Sequence, residues 1–514
     1  MATQNIGVCD QCSKRVPAEH VIRDGKVYFV RHCPDCGDRE GLVSSDAEVW
    51  QWKRDIYGYT GDEPIGCSLC CDTCGRDHEP KLLFLDVTNR CNMNCPICLA
   101  NIPGMGFEFH PPIEYFERIF EILGTWDYKP RVQLFGGEPT VRRDLFEIID
   151  LAKKNGVRVC VVTNGIKLAD EDYCRQLCDA NVQLLLSYDG PEPETYERLR
   201  ANRESGAKKA KAVENVAKFS KRQHTLLCAV AQGVNDHCMP EVFAFAHEHR
   251  KVVKRIHFLP LCELWAPGTF NVDQMTTSED LEKILDGAFP DESLEFLPAG
   301  LTTLAQPAFR FFSKGTLRFA GIHPNCESAT YVISDGERYH PIGYILKRPL
   351  RELVGELAER AKKLNPRLAK LDPDRWFQRW RGRLMALRAF GWPILRSLRY
   401  GRLAKGSPVM ALLRILGGLL IGRRVSEQMR RHTYVSDMCL SVVLPFEEVH
   451  SLEAARLDRC SVAFCYLDPD TDELRHVPFC AWTLYRADVF RRIAAKYAAQ
   501  PAPEPEASAE AAVS

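Results

Sequence analysis

Between Leu82 and about Glu263, short apolar runs alternate with amphipathic stretches of helical period. The runs LLFLDVTN (82–89), RVQLFGG (131–137), VRVCVVTNG (157–165), VQLLLSYDG (182–190), TLLCAVAQGVN (225–235) and KRIHFLPLCE (254–263) predict six strands. Between them, PIEYFERIFEILGTW (112–126) and DLFEIIDLAKKNG (144–156) place apolar residues at helical spacing, the second closing on a Gly. Repeated strand–helix units predict an α/β fold, a parallel sheet curled into a partial (β/α)6 barrel over about 82–300. Its site is expected at the C-terminal ends of the strands.

Around this core the pattern changes. Residues 1–45 form a small cysteine-rich module, 46–81 a linker with a second cysteine cluster, and 301–500 an irregular region with further cysteines. The tail 501–514, PAPEPEASAEAAVS, is low in complexity and predicts disorder. Neither the opening MATQNIGVCD nor any uncharged run of about 18 residues reads as a signal peptide or membrane span, so a cytoplasmic protein is expected.

Composition matters mainly through cysteine. The 514 residues carry 68 basic and 68 acidic side chains, and 22 cysteines, most of them clustered. Without a secretory leader, such clusters point to metal ligation rather than to disulfides.

Cys91, Cys95 and Cys98 form C-x3-C-x2-C directly after the first predicted barrel strand. Three thiolates on one loop can hold three irons of a cubane and leave the fourth free. A zinc knuckle lacking one ligand is the competing reading. Gly136-Gly137-Glu138-Pro139 ends the second strand. Its glycines would admit the backbone close to a ligand, and Glu138 would accept an ammonium. Thr163 and Asn164, Ser187 and Asp189, and Asn235 end the third, fourth and fifth strands, as ligand contacts or as turn formers.

Cys9-x2-Cys12 and Cys33-x2-Cys36 predict a tetrahedral four-thiolate site for zinc or a rubredoxin-type iron. Cys67, Cys71 and Cys74 repeat the C-x3-C-x2-C spacing, with Cys70 adjacent, and suit an auxiliary cluster or a zinc knuckle. Cys326, Cys439, Cys460 and Cys480, with Cys465 nearby, are scattered and on spacing alone read as core residues or as a further cluster.

The segment TNRCNMNCPIC around Cys91–Cys98 resembles the signature of the radical SAM superfamily. That resemblance implies a 4Fe–4S cluster whose open iron binds S-adenosylmethionine (SAM), an external flavodoxin- or ferredoxin-type electron donor, and a 5′-deoxyadenosyl radical. By position, Gly136 to Pro139, Thr163, Asn164, Ser187, Asp189 and Asn235 then resemble SAM-binding residues. The block order, C-x2-C…HCPDCG, a cysteine cluster, TNRCNMNCPIC, HPNC…TYV and DRC…VPFC, further resembles the archaeal tetraether lipid synthase and pterin-methylase group over nearly the full chain. This implies a rubredoxin-like iron, the SAM cluster and two auxiliary clusters, and makes Cys326, Cys439, Cys460 and Cys480 auxiliary ligands. The chain departs from that pattern at Lys81-Leu82-Leu83, where relatives place a cysteine, and at Leu440-Ser441-Val442, where a histidine is expected.

An insertion over about 345–432 is the last feature. From Lys347 to Arg431 stand 22 Lys and Arg against 6 Asp and Glu, a local charge of +16, interleaved with Trp376, Phe377, Trp380, Phe390, Trp392 and PVMALLRILGGLLIG (408–422). Arginine-rich helices with Trp and Leu fit a peripheral membrane surface. A solvated helix pair packing its Leu side on the barrel is the alternative, and nucleic acid is disfavoured by the aliphatic content. Three functions follow: radical C–C coupling on lipid chains at the membrane, expected first; radical methylation of a soluble heterocycle such as a pterin; or a non-catalytic iron–sulfur electron carrier.

Overall fold

The N-terminal module folds as a four-stranded antiparallel meander: β1 (Ile6–Val8), β2 (Arg15–Arg23), β3 (Lys26–Cys33) and β4 (Gly37–Ser44). The computed structural model describes residues 5–498 apart from 71–79, 266–268, 272–273, 314–316, 318–319, 421–422 and 424. Along β3 every second side chain is buried, Val27, Phe29, Arg31 and Cys33, as the pleat requires. Asp24 and Gly25, with φ of 52° and 72°, close the β2–β3 hairpin in the left-handed pair that matches the strand twist.

A helix over Ala47–Tyr57 leads to the barrel. Asp46 caps it by accepting from the Val49 amide at 3.1 Å, and Gly58 (φ 81°) ends it. Lys53 on this helix lies 2.7 Å from both Glu279 and Glu282, with all three side chains buried. Burial alone would push the ammonium down. The two carboxylates outweigh it and hold the Lys53 pKa above the ordinary value.

The six predicted strands are present: β5 (Leu82–Thr88), β6 (Arg131–Gly136), β7 (Val159–Thr163), β8 (Gln183–Ser187), β9 (His224–Val230) and β10 (Val253–Pro260). They pair in parallel and in chain order. The polar and Gly-rich ends of the predicted runs fall just beyond the strands, in the C-terminal loops. The helices Ile113–Thr125 and Leu145–Lys154 lie inside the predicted spans and bury Phe116, Ile119, Phe120, Ile148 and Ile149 against the sheet.

The region beyond 300 is not irregular. After β11 (Leu297–Pro298) come β12 (Ser328–Ser334), β13 (Tyr339–Pro341), β14 (Asp437–Val443), β15 (Val462–Leu467) and β16 (Leu474–Pro478). β14 adds in parallel to β10, and β12 lies antiparallel beyond it. β15 adds in parallel to β5, with β16 antiparallel outside. The C-terminal region thus extends both edges of the barrel sheet, so the boundary expected near residue 300 does not divide that sheet. Each edge carries hydrogen-bonding groups that need a partner, and these strands supply it.

The insertion forms helices over Leu350–Leu368, Trp376–Ser397, Pro408–Leu420 and Val425–His432. Among the described residues no helix is long and apolar enough to cross a membrane. Cys71, Cys74 and the tail 501–514 lie outside the described residues.

The Lys53 site gives a stability test. Lys53→Ala leaves two buried carboxylates without their cation, at a cost of about 3–5 kcal/mol, whereas Lys53→Arg retains the charge. Thermal melting of the two variants should show a marked drop for the first and a smaller one for the second.

Candidate active site

In the N-terminal meander the ligand atoms of Cys9, Cys12, Cys33 and Cys36 all lie within 4.8 Å of one another. Each C-x2-C knuckle turns on a left-handed residue, Ser13 (φ 57°) and Gly37 (φ 76°). Cys12 and Cys33 Sγ are 3.7 Å apart. Four thiolates at about 2.3 Å from one tetrahedral ion would be separated by about 3.8 Å, so the four fit a mononuclear metal. The amides of Cys12 and Gln11 pull the Cys9 thiol down to about 6, toward the thiolate that a metal needs.

Cys91, Cys95 and Cys98 occupy the loop that follows β5, at the C-terminal end of the barrel. The loop is pinned at its root. Asn89 Nδ2 donates to the Phe107 carbonyl at 2.6 Å, and Asn89 Oδ1 accepts from the Phe109 amide at 2.8 Å. All three cysteines are partly exposed. Among the described residues their sulfurs do not close to within 4.8 Å as the N-terminal four do. That spread suits ligands to separate irons of a cubane better than ligands to one ion. A cavity of about 490 Å³ opens beside the loop, lined by Cys91, Asn92, Met93, Ile102, Ala201 and Asn202.

Gly136 and Gly137 are required by backbone proximity to this loop. At Gly136 (φ 126°) a Cβ would run into the Thr88 carbonyl, and at Gly137 into the Arg90 carbonyl. Their space is taken by main chain: the Gly137 amide donates to Thr88 O at 2.7 Å and the Glu138 amide to Arg90 O at 2.9 Å. Pro139 opens the short turn that follows.

Glu138 is almost wholly occupied by the protein. Oε1 accepts from the Thr140 amide (3.1 Å), Thr140 Oγ1 (2.6 Å) and Thr163 Oγ1 (2.7 Å), and Oε2 from the Asn164 amide (2.6 Å). It is buried, and burial raises its pKa. An ionised carboxylate offers about four lone-pair sites. These bonds tie the end of β6 to the end of β7, and Oε2, with a single donor, keeps a lone pair for the expected ammonium. Asn164 Nδ2 in turn donates to Asn92 Oδ1 at 2.7 Å, joining the third strand end to the cysteine loop.

The remaining expected contacts divide. Ser187 Oγ is partly exposed and accepts from Lys209 Nζ at 2.7 Å. Asp189 is fully buried, held by Arg200 Nε and Nη2 at 2.9 and 2.8 Å and by the Ala229 amide at 3.0 Å. Asn235 is also fully buried, with Oδ1 on the Ala231 amide (2.9 Å) and Nδ2 on the Asp189 and Ala229 carbonyls (2.9 and 2.8 Å). Asn235 is thus a loop fastener with no group left for a ligand, which corrects its expected role. Arg200 and Lys209, absent from the expected set, extend positive charge toward Cys95. Burial, followed by the Arg200 charge, lowers Lys209 to about 8. A signal for Lys209 lies in the sequence: it shares the buried helix face of Ala212, Val213 and Val216, where an unpaired lysine is costly.

The late cysteines also divide. Cys326 and Cys480 lie near Arg456, Cys460 and Cys480 near Glu447, and Cys326 and Cys460 near Glu327. Both Glu447 oxygens are buried without a well-formed hydrogen bond, although Arg456 Nε stands 3.4 Å away. The Glu447 amide donates to Cys480 Sγ at 3.4 Å. Burial raises all three thiols, and together with Glu447 they make a candidate auxiliary centre. Cys439 is corrected out of this set: it sits on β14, wholly buried in the apolar core with Val332, Tyr339 and Val443. Cys262, just past β10 and beside Phe446 O at 3.6 Å, is partly exposed near Arg456 and was not singled out by its spacing. Cys67 is buried and Cys70 partly exposed, on a segment where Leu69 adopts φ 58° and its carbonyl accepts from Arg15 Nε (2.9 Å) and Tyr485 Oη (2.9 Å).

These features define a class. Residues 85–246 match the radical SAM superfamily model. Residues 3–45 match the HMPTM N-terminal zinc ribbon domain. The chain thus carries a radical SAM domain over 85–246 behind an N-terminal zinc ribbon over 3–45, and the chemistry of a radical SAM domain takes a 4Fe–4S cluster, SAM and an electron donor. It is 28% identical over 515 residues, 95% of either chain, to 7,8-dihydro-6-hydroxymethylpterin dimethyltransferase of Methanocaldococcus jannaschii. It is 27% identical over 205 residues, 39% of this chain and 50% of that one, to mitochondrial GTP 3′,8-cyclase of Arabidopsis thaliana. Streptococcus suis SuiB bound to S-adenosylmethionine is 11% identical, with 54% of this chain and 68% of that one covered and a TM-score of 0.33.

The tight backbone approach yields a test that separates the two metal sites. Gly137→Ala overpacks the cysteine loop by about 1–3 kcal/mol. Iron and sulfide retained after anaerobic reconstitution should fall well below wild type, while the metal of the Cys9–Cys36 site is kept.

Proposed function

We propose that this enzyme methylates a reduced pterin or a similarly flat nitrogen heterocycle. The observation that carries this reading is the extent of the likeness to the pterin dimethyltransferase, which spans 95% of both chains and so includes the zinc ribbon and the C-terminal strands. The cyclase likeness covers only 39% of this chain.

The chemistry of the barrel mouth agrees with a flat polar ring. Leu99 of the cysteine loop, Phe135, Phe446, Phe464, Phe479 and Trp482 line a narrow cleft with Glu447, Cys480 and Arg486; it holds only about 10 Å³, with Phe446 stacked on Phe479 and Phe464 on Trp482, so a heterocycle would enter by parting these rings. Aromatic faces stack on heterocycles, and the adjacent N–H donors of an aminopyrimidine edge match a buried carboxylate. Glu447 is that carboxylate, its pKa raised by burial until a donor reaches it.

When bound, the cluster and SAM would supply the carbon radical that removes hydrogen from the substrate as 5′-deoxyadenosine, a second SAM would give the methyl group and leave as S-adenosylhomocysteine, and the external reductant would supply the two electrons. The chain's own residues hold this mouth in shape. Cys91, Cys95 and Cys98 would carry the cluster, and Cys326, Cys460 and Cys480 an auxiliary one. Lys209 with Ser187 places a cation near Cys95, suited to the carboxylate of SAM. Asp86, buried inside the barrel, accepts from Trp482 Nε1 at 2.9 Å and pairs with Arg486, which fixes one wall of the cleft.

C–C coupling on lipid chains is the second reading, and one observation favours it. A cavity of about 1030 Å³ lies between β12, β14 and the insertion, lined by Leu297, Leu301, Val354, Met429 and Leu440 with Lys254, Arg255 and Arg430 at hand. Such a groove suits an alkyl chain with an anionic head.

Anaerobic turnover decides between the two. With reductant and SAM, 7,8-dihydro-6-hydroxymethylpterin should stimulate 5′-deoxyadenosine formation and gain methyl mass, and fractionated lipid extract should not. Glu447→Gln should lower kcat/KM for the pterin by about 5- to 150-fold, the cost of one unmet buried hydrogen bond. Stimulation by lipid alone would overturn the proposal in favour of the second reading.

A further inference from the structure

The helix Trp376–Ser397 is packed in the reverse of the usual sense. It turns its small residues inward: Gly382 and Ala386 are buried, and a Cβ on Gly382 would meet the Phe311 ring at 2.5 Å. Its large apolar residues face outward, with Trp376 73% exposed, Phe377 68% and Trp392 67%. At about 100° per residue, Trp376, Trp380, Leu384, Leu387 and Ile394 fall on one stripe, which an ordinary surface helix would turn to the core. The helix Pro408–Leu420 repeats the arrangement, with Ala411 buried and Val409, Met410 and Leu413 exposed. Ten of the fifteen exposed large hydrophobic side chains among the described residues lie between Trp376 and Leu413. The alternative of these helices packing their Leu side on the barrel does not describe Leu384, Leu387 and Leu413, which are exposed.

The charge around this face has one sign. Arg381 and Arg388 border the stripe, and Arg399 and Arg414 are nearby. All four are exposed and have no acidic partner among the described residues. They belong to the segment of 22 basic and 6 acidic residues. Self-association through this face would bring two strongly cationic surfaces together, which is repulsive. Tryptophan and leucine ringed by arginine are matched by the headgroup region of an anionic bilayer, where indoles settle at the interface and each cation is attracted.

We propose that the helices Trp376–Ser397 and Pro408–Leu420 form a docking face by which the enzyme lies on an anionic membrane surface without crossing it. The face stands apart from the barrel mouth, so the proposal holds for either substrate class.

Flotation of the full-length, reconstituted protein tests it. Vesicles of phosphatidylcholine mixed with phosphatidylglycerol should carry the wild type upward, and vesicles of phosphatidylcholine alone should carry much less. High salt should weaken the anionic case. Arg381→Ser with Arg388→Ser should lower partitioning by about 25-fold, about 1 kcal/mol for each cation. Trp376→Ser with Trp380→Ser and Trp392→Ser should abolish flotation while circular dichroism and metal content stay at wild-type levels, because these side chains are largely exposed and their ring contacts, to Phe377 and Arg383, lie on the same outer face. Wild type remaining below phosphatidylglycerol vesicles would overturn the proposal, as would flotation indifferent to both sets of substitutions. A concentration-dependent oligomer that the Trp variant loses, without vesicle binding, would overturn it too and give the face to a second copy of the chain.

Discussion

The main chain at Gly136 and Gly137 runs so close to Thr88 and Arg90 that no side chain fits between them. This contact locks the end of the second barrel strand to the root of the cysteine loop, and the rest of the mouth is organised around it. Glu138, next in sequence, takes four donors from Thr140, Thr163 and Asn164. Asn164 then reaches the loop again through Asn92. A buried carboxylate is expensive unless its oxygens are met. Here they are met by the neighbouring strand end, so the cost of burial becomes a constraint on geometry. Cys91, Cys95 and Cys98 are thus held from two sides before any cluster forms.

The second constraint is at the sheet edges. Six parallel strands leave β5 and β10 unpaired on their outer sides, and the last third of the chain covers both through β15 and β14. Cys460 and Cys480 flank the β15–β16 hairpin, so the strand that covers one edge also brings late cysteines to the mouth. Trp482 and Arg486 follow on the last helix and reach Asp86 on β5, a contact between residues 396 and 400 positions apart. Edge pairing and site assembly therefore rest on the same strands.

Local signals were legible in the sequence. The strand runs, the two helix spans, the paired C-x2-C knuckles and the Cys91–Cys98 loop each depend on neighbours a few residues away, and each lies at the place in the fold that the pattern gives it. What depends on distant pairing was not legible. Spacing could not tell Cys439, which faces the apolar core beside Tyr339, from Cys326, Cys460 and Cys480, each of which lies near two of Arg456, Glu447 and Glu327. Asn235 read equally well as a ligand contact until its three hydrogen bonds to main chain were located. The outward face of the Trp376–Ser397 helix was hidden for a similar reason: an amphipathic pattern gives the stripe, but only the fold says which stripe is buried.

The central claim is that the loop of Cys91, Cys95 and Cys98, fixed by the glycine contact, carries a cluster that binds SAM directly. Electron paramagnetic resonance of the reduced, reconstituted protein measures this most directly. Adding SAM should alter one cubane signal, and Cys95→Ser should remove that signal while the four-cysteine site keeps its metal. A spectrum unchanged by SAM, or a SAM-sensitive signal surviving in Cys95→Ser, would contradict the account.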